Sequence, residues 1–82
     1  MSHFVLDARN LLCPMPVIRT QNRVAELGPG DVLEVRATDP GTLQDIPAWC
    51  RIHGHEMLSV TKKEGEITLT LRVGVHEQRP VT

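Results

Sequence analysis

Val32-Leu33-Glu34-Val35-Arg36-Ala37 places Leu33, Val35 and Ala37 on one face and Val32, Glu34 and Arg36 on the other, the period of two that marks a β-strand. A strand patterned in this way is covered on one side only, so a second layer must lie against its apolar face. Upstream, Gly28-Pro29-Gly30 breaks the chain after a segment beginning at Pro14, in which Val17, Ile18, Val24, Ala25 and Leu27 form the stripe of an amphipathic helix. Ahead of that helix, His3 to Asp7 reads as a short strand, and residues 8–12 as a loop. Downstream, Thr38-Asp39-Pro40 offers a helix start, with Asp39 as N-cap and Pro40 in the first helical position. Leu43, Ile46, Cys50 and His53 continue its stripe. Pro47 would cost this helix an internal hydrogen bond, so the regular part is expected to begin nearer a second cap at Asp45. Gly54 stops it. Glu56 to Lys62 and Glu66 to Val73 then read as a hairpin turning at Lys63-Glu64-Gly65, with Ile67, Leu69, Leu71 and Val73 facing inward.

The element order is therefore βαβαββ. Strands one and two, joined by a helical crossover, should be parallel, and the last two antiparallel. One-sided strands and two amphipathic helices make an α/β two-layer sandwich, a four-stranded mixed sheet covered on one face by two helices. Residues 1–73 are expected to form a single domain, and residues 74–82, which show no periodicity, a mobile C-terminal tail.

Composition narrows the function. The 82 residues carry nine Lys and Arg against ten Asp and Glu, and Phe4 and Trp49 are the only aromatic residues of the Phe/Tyr/Trp type. Both the basic surface and the stacking platform of common nucleic-acid binders are missing, so no direct nucleic-acid binding is expected. No stretch reaches the ~20 apolar residues of a membrane-spanning helix, and the N-terminus lacks a basic region followed by an apolar run. With two cysteines, too few for a disulfide framework, the chain reads as a cytoplasmic protein.

Chemistry concentrates in Leu11-Leu12-Cys13-Pro14-Met15-Pro16. If Pro14 opens the first helix, Cys13 is its N-cap, and the amide of Met15 is the donor an N-cap side chain normally meets. The sulfur would then sit at the positive end of the helix dipole with a backbone donor aimed at it, and both effects favour thiolate over thiol. Pro14 and Pro16 stiffen the turn on either side of Met15. Arg9 and Arg19, near in sequence, are candidates to add positive potential. Buried packing of a small thiol is the competing reading, but the site follows the C-terminal end of a strand, where α/β sheets expose ligand sites.

Leu6-Asp7-Ala8, Cys13-Pro14-Met15-Pro16, Gly30-Asp31, Thr38-Asp39-Pro40, Asp45-Ile46-Pro47-Ala48-Trp49-Cys50 and Gly54-His55, taken together over residues 5–73, resemble the TusA/SirA family of small sulfur carriers. The resemblance implies the same βαβαββ sandwich. It also implies that Cys13 accepts sulfane sulfur as a persulfide and passes it on, serving tRNA thiolation, molybdenum-cofactor supply or sulfur oxidation. The implied partners are a sulfur-donor protein of cysteine desulfurase or rhodanese type and a sulfur-acceptor protein, with no metal or organic cofactor. Helix-terminal positive potential would hold the anionic persulfide. Cys13 must then be exposed, and Leu12, Met15 and the rings of Pro14 and Pro16 are candidates for docking or shaping the site, whereas Leu11 is expected to pack in the core.

Two other classes predict different chemistry: a thiol redox sensor, oxidised at Cys13, and a non-enzymatic interaction module that uses the proline turn as a docking knob. Cys50 falls on the inward helical stripe and is expected to be a packed, inert thiol. His53 and His55 are read as helix-end residues, and with Cys50 they make too sparse a set for a metal. Asp7 and Asp45, on separate elements, are read as strand-end and helix-cap residues in preference to an acid/base pair.

Overall fold

The computed structural model describes residues 2–74, and the expected tail, residues 74–82, lies outside the described residues except for Gly74. The expected architecture is borne out: β1 (His3–Ala8), α1 (Met15–Val24), β2 (Val32–Ala37), α2 (Thr42–His53), β3 (Glu56–Lys63) and β4 (Glu66–Arg72). The strands form one mixed sheet in the order β1-β2-β4-β3. β1 runs parallel to β2, and β4 is antiparallel to both of its neighbours.

The register explains why the alternation was informative. Leu33 pairs with Leu71, Val35 with Leu69 and Ala37 with Ile67, so two strands deliver matched apolar residues to one face. All six are buried, and Ile46, Trp49 and Cys50 of α2 and Val24 of α1 close over them. Each large side chain so buried contributes roughly 1.5–3 kcal/mol. Glu34, Arg36, Thr68 and Thr70 lie on the other face, which no helix covers. The β3–β4 hairpin turns through Glu64 and Gly65, both at positive φ (50° and 83°), the pair of signs that a tight two-residue turn requires. A register irregularity between Met57 and Ser59 sets Leu58 apart on the edge strand.

Three expectations for the helices need correction. α1 starts at Met15, with Pro14 as the flanking residue, and stops at Val24, short of Gly28-Pro29-Gly30. It ends early because the amides of Glu26 and Leu27 bond to carbonyls three residues back, tightening the chain so that Leu27 reaches the core. The buried row of α1 is Pro16, Thr20 and Val24, whereas Ile18 is 40% exposed and Ala25 is exposed. Thr20 is tolerated there because its hydroxyl donates to the Pro16 carbonyl at 2.8 Å.

α2 begins at Thr42 and not at Asp45, with Gly41 flanking it and Pro47 inside. An internal proline costs roughly 3 kcal/mol. Burial of Ile46, Trp49 and Cys50 on the sheet outweighs that cost, since each is worth a comparable amount or somewhat less. Asp39 does organise the start, though from two residues further out than a cap. Its carboxylate accepts the Gly41 amide at 3.1 Å, and its carbonyl accepts the amide and hydroxyl of Thr42. The helix ends at Gly54, whose φ of 81° is the left-handed conformation that glycine adopts without a Cβ clash.

Candidate functional site

Because β1 and β2 are parallel, the segments that follow them emerge at the same end of the sheet, side by side. Residues 9–14 follow β1 and residues 38–41 follow β2. The Asn10 amide donates to the Thr38 hydroxyl at 2.9 Å and ties the two together. Leu11 turns inward against the core, as expected, and Leu12 stands outside with 75% of its surface exposed. Cys13 follows, exposed at the entrance to α1, and the Cys13–Pro14 peptide is cis. Met15 and Ile18, one helical turn apart in the first two turns of α1, are also exposed, whereas Pro16 is buried and can shape the turn but not contact a partner.

The expected thiolate environment is absent from this turn. The flanking residue of α1 is Pro14, with no side-chain cap hydrogen bond, so Cys13 is not an N-cap. The Met15 amide donates to the Leu12 carbonyl at 2.8 Å, and the Val17 amide to the Pro14 carbonyl at 3.1 Å. The Cys13 amide donates to Asp39 Oδ2 at 2.7 Å. These backbone donors are consumed before they can reach the sulfur. Instead, the Cys13 thiol donates to Asp45 Oδ2 at 3.0 Å. That hydrogen bond, partial desolvation, and the negative charges of Asp45 and Asp39 all raise the Cys13 pKa above the ordinary thiol value. The resting group is therefore a hydrogen-bonded thiol.

Arg9 does not offset these carboxylates. Its guanidinium grips Asp7 through Nε at 2.9 Å and Nη2 at 3.0 Å, and it approaches Glu66 at 4.0 Å. The pairing holds Asp7 down to about 2. Arg19 is exposed on α1, and the charges that act on the Cys13 sulfur are those of Asp45 and Asp39. Asp45, expected as a helix cap, makes no cap hydrogen bond and faces the sulfur. Asp39 and Asp45 are thus the site residues that sequence reasoning missed. The available signal was topological: Asp39 follows the strand parallel to the one preceding Cys13, and Asp45 opens the helix beyond it.

Cys50 is packed as expected, 1% exposed and not disulfide-bonded, and burial pushes its thiol up to about 11. His53 lies in the last turn of α2 and His55 just past its Gly54 cap, the helix-end places expected of them. Their rings lie 5.2 Å and 5.0 Å from that of Trp49, and His55 Nδ1 accepts the Gly74 amide at 3.0 Å. Among the described residues, no group of three or more His, Cys, Asp or Glu is gathered to hold a metal ion.

Comparison with known proteins agrees with this fold and gives its family. The family model described as sulfurtransferase TusA matches residues 4–73. The sulfur carrier protein TusA of Pseudomonas aeruginosa is 43% identical over 68 residues, covering 83% of this chain and 86% of that one. Two Bacillus subtilis proteins with sulfur-carrier names match over 63 residues, or 77% of this chain: YrkF at 51% identity and YrkI at 49%. The match spans 34% of YrkF, about a third of its length, and 83% of YrkI. The crystal structure of a SirA-like protein from Desulfitobacterium hafniense superposes with a TM-score of 0.77 at 30% identity, covering 87% of this chain and 97% of that one.

Proposed function

The chain belongs to the TusA sulfurtransferase family, and on that footing we propose that it carries sulfane sulfur on Cys13 as a persulfide, between a donor protein and an acceptor protein. The observation that carries the proposal is an exposed cysteine on a proline-stiffened turn, fixed through its own amide and thiol to Asp39 and Asp45. The other thiol, Cys50, is buried and held protonated, so one atom is available for covalent chemistry.

In loading, the Cys13 sulfur attacks the outer sulfur of a donor persulfide, and the donor leaves as its thiol. In delivery, an acceptor thiol attacks the outer sulfur now on Cys13, and the Cys13 thiol is restored. Both steps are thiol exchange and need no cofactor. Leu12, Met15 and Ile18, exposed apolar side chains flanking Cys13 in sequence and on the first turns of α1, suit docking of donors of cysteine desulfurase or rhodanese type and of acceptors, and form the rim of the proposed docking surface. The acceptor would decide whether the relay serves tRNA thiolation, molybdenum-cofactor supply or sulfur oxidation. A thiol that must stay reduced between cycles suits the cytoplasm. Among the described residues, no helix is long and apolar enough to cross a membrane.

One feature of the carrier differs from the expectation. An anionic persulfide on Cys13 would meet two carboxylates and not a helix terminus rich in free amides. The site therefore favours handover over storage. Intact-mass spectrometry after incubation with a persulfide donor tests the function: a reductant-labile single-sulfur adduct is expected on the wild type and none on Cys13→Ser. An oxygen adduct would support a redox sensor, and no adduct an interaction module; either outcome refutes the carrier.

A further inference from the structure

We propose that Asp45 is the proton acceptor of Cys13: its carboxylate takes the thiol proton as the sulfur bonds to the incoming sulfane sulfur and passes it to the donor's departing sulfur. The inference rests on the carrier reading and assigns a second residue to its chemistry.

The geometry supports it in three ways. First, a carboxylate can only accept, so the 3.0 Å contact between Cys13 Sγ and Asp45 Oδ2 aligns the S–H bond on the oxygen that would receive the proton. Second, among the described residues the bond to Cys13 is the one hydrogen bond the Asp45 side chain makes, although its charge also stands in the first turn of α2. Third, both partners are held. The Asp45 amide bonds to the Gly41 carbonyl at 3.0 Å, and Thr42 and Ile46, buried at 1% and 0% exposure, anchor the same turn to the core. On the other side, Asp39 pins the Cys13 amide at 2.7 Å. Asp39 positions the cysteine, and Asp45 handles its proton.

The electrostatics give this arrangement a purpose. Two carboxylates suppress the free thiolate, which would be counterproductive in a nucleophile that had to ionise before its substrate arrived. A proton lost during attack avoids that conflict. Cys13–SH and donor R–S–SH react; the bond between Cys13 Sγ and the outer sulfur forms, and the donor S–S bond breaks with its electron pair leaving on R–S. The proton moves from Sγ to Asp45 Oδ2 and then to R–S⁻. The products are Cys13–S–SH and R–SH, with the Asp45 carboxylate restored and no external oxidant or reductant consumed. Delivery to an acceptor thiol runs the same proton path in reverse.

Two reactions of Cys13 separate this role from a merely electrostatic one. Iodoacetamide expels iodide, which needs no proton, so its rate follows the thiolate fraction. Glutathione persulfide expels a thiolate, which does. With Asp45→Asn, alkylation should become faster, while single-turnover loading at pH 7 should fall about 10²-fold, the lower range for general acid–base catalysis. Asp45→Glu should recover part of the loading rate. In the wild type, loading should depend less steeply on pH than alkylation, a comparison that needs no variant to fold. Asp45→Asn loading as fast as the wild type, or wild-type loading and alkylation rising in parallel with pH, would overturn the relay and leave the carrier intact. A wild type that takes up no sulfur from the persulfide at any pH would overturn the carrier reading and the relay with it.

Discussion

Replacing Cys50 with alanine should make the protein less stable at pH 8 and more stable at pH 11. At pH 8 the substitution removes a buried sulfur from the contact of Ile46, Trp49 and the sheet, at a cost of about 1 kcal/mol, the centre of the range for point substitutions. Alkaline pH reverses the sign. Burial raises the Cys50 pKa from 9.0 to about 11, so the folded state holds a proton that the unfolded chain releases more readily. For a group whose folded pKa is raised, the stabilisation is complete below the unfolded value and is lost as pH rises through the folded one. From these two values the loss is about 1.4 kcal/mol at pH 10 and about 2 kcal/mol at pH 11. An 82-residue domain has roughly 4–12 kcal/mol to lose. The chain has no tyrosine, and taking the difference between wild type and variant cancels the lysines and Cys13. Urea titrations at pH 8, 9, 10 and 11 would read the effect directly, with the wild-type advantage shrinking from pH 9 and inverting by pH 11. Parallel pH dependence in the two proteins would refute the argument from burial. So would rapid modification of two thiols per native chain at pH 8, where a pKa of about 11 leaves about one Cys50 in a thousand ionised.

Two further substitutions probe the site from its edges. Leu12→Ser, at a side chain 75% exposed, should leave the fold and loading from glutathione persulfide unchanged while lowering kcat/KM for a protein donor about tenfold, the effect of losing one apolar contact of about 1.4 kcal/mol; equal effects on both donors would remove Leu12 from the docking rim. Asp39→Ala deletes the acceptor of the Cys13 amide, so hydrogen exchange at that amide should accelerate relative to the core strands, and iodoacetamide should react faster as a negative charge is withdrawn. Unchanged exchange at Cys13 would show that the turn is held by its prolines alone.

Much of the fold was legible because its decisive patterns are local. The alternation of β2 and β4 needs only six or seven consecutive residues, and the glycines at 54 and 65 occupy positions where a turn or cap requires positive φ. The helices were harder to place for two physical reasons. In α1 the inward row includes Pro16 and Thr20, which a search for apolar spacing passes over; Thr20 qualifies only through its bond to a carbonyl one turn back. In α2 the cost of Pro47 was visible in the sequence, but the burial that outweighs it was not, since Ile46, Trp49 and Cys50 find their partners on strands elsewhere in the chain.

The charge state of Cys13 differs from the one its sequence position implies for a related reason, and the difference bears on what a sulfur carrier needs. A helix N-terminus carries about half a unit of positive charge, through amides left without partners. Here those amides bond to nearby carbonyls or to Asp39, and full negative charges arrive from Asp39 and Asp45, which are 26 and 32 residues away in sequence. A carboxylate at hydrogen-bond distance outweighs a residual dipole whose donors are already occupied. An enzyme that must attack any substrate promptly benefits from a standing thiolate. A carrier does not, because a standing thiolate also reacts with oxidants and stray electrophiles, and a stabilised persulfide anion would resist delivery. On the proposed carrier reading, carboxylates beside the sulfur would oppose both, keeping the empty site as a thiol and making a loaded site less favourable as an anion, so that reactivity would wait for a partner seated on the exposed side chains of Leu12, Met15 and Ile18.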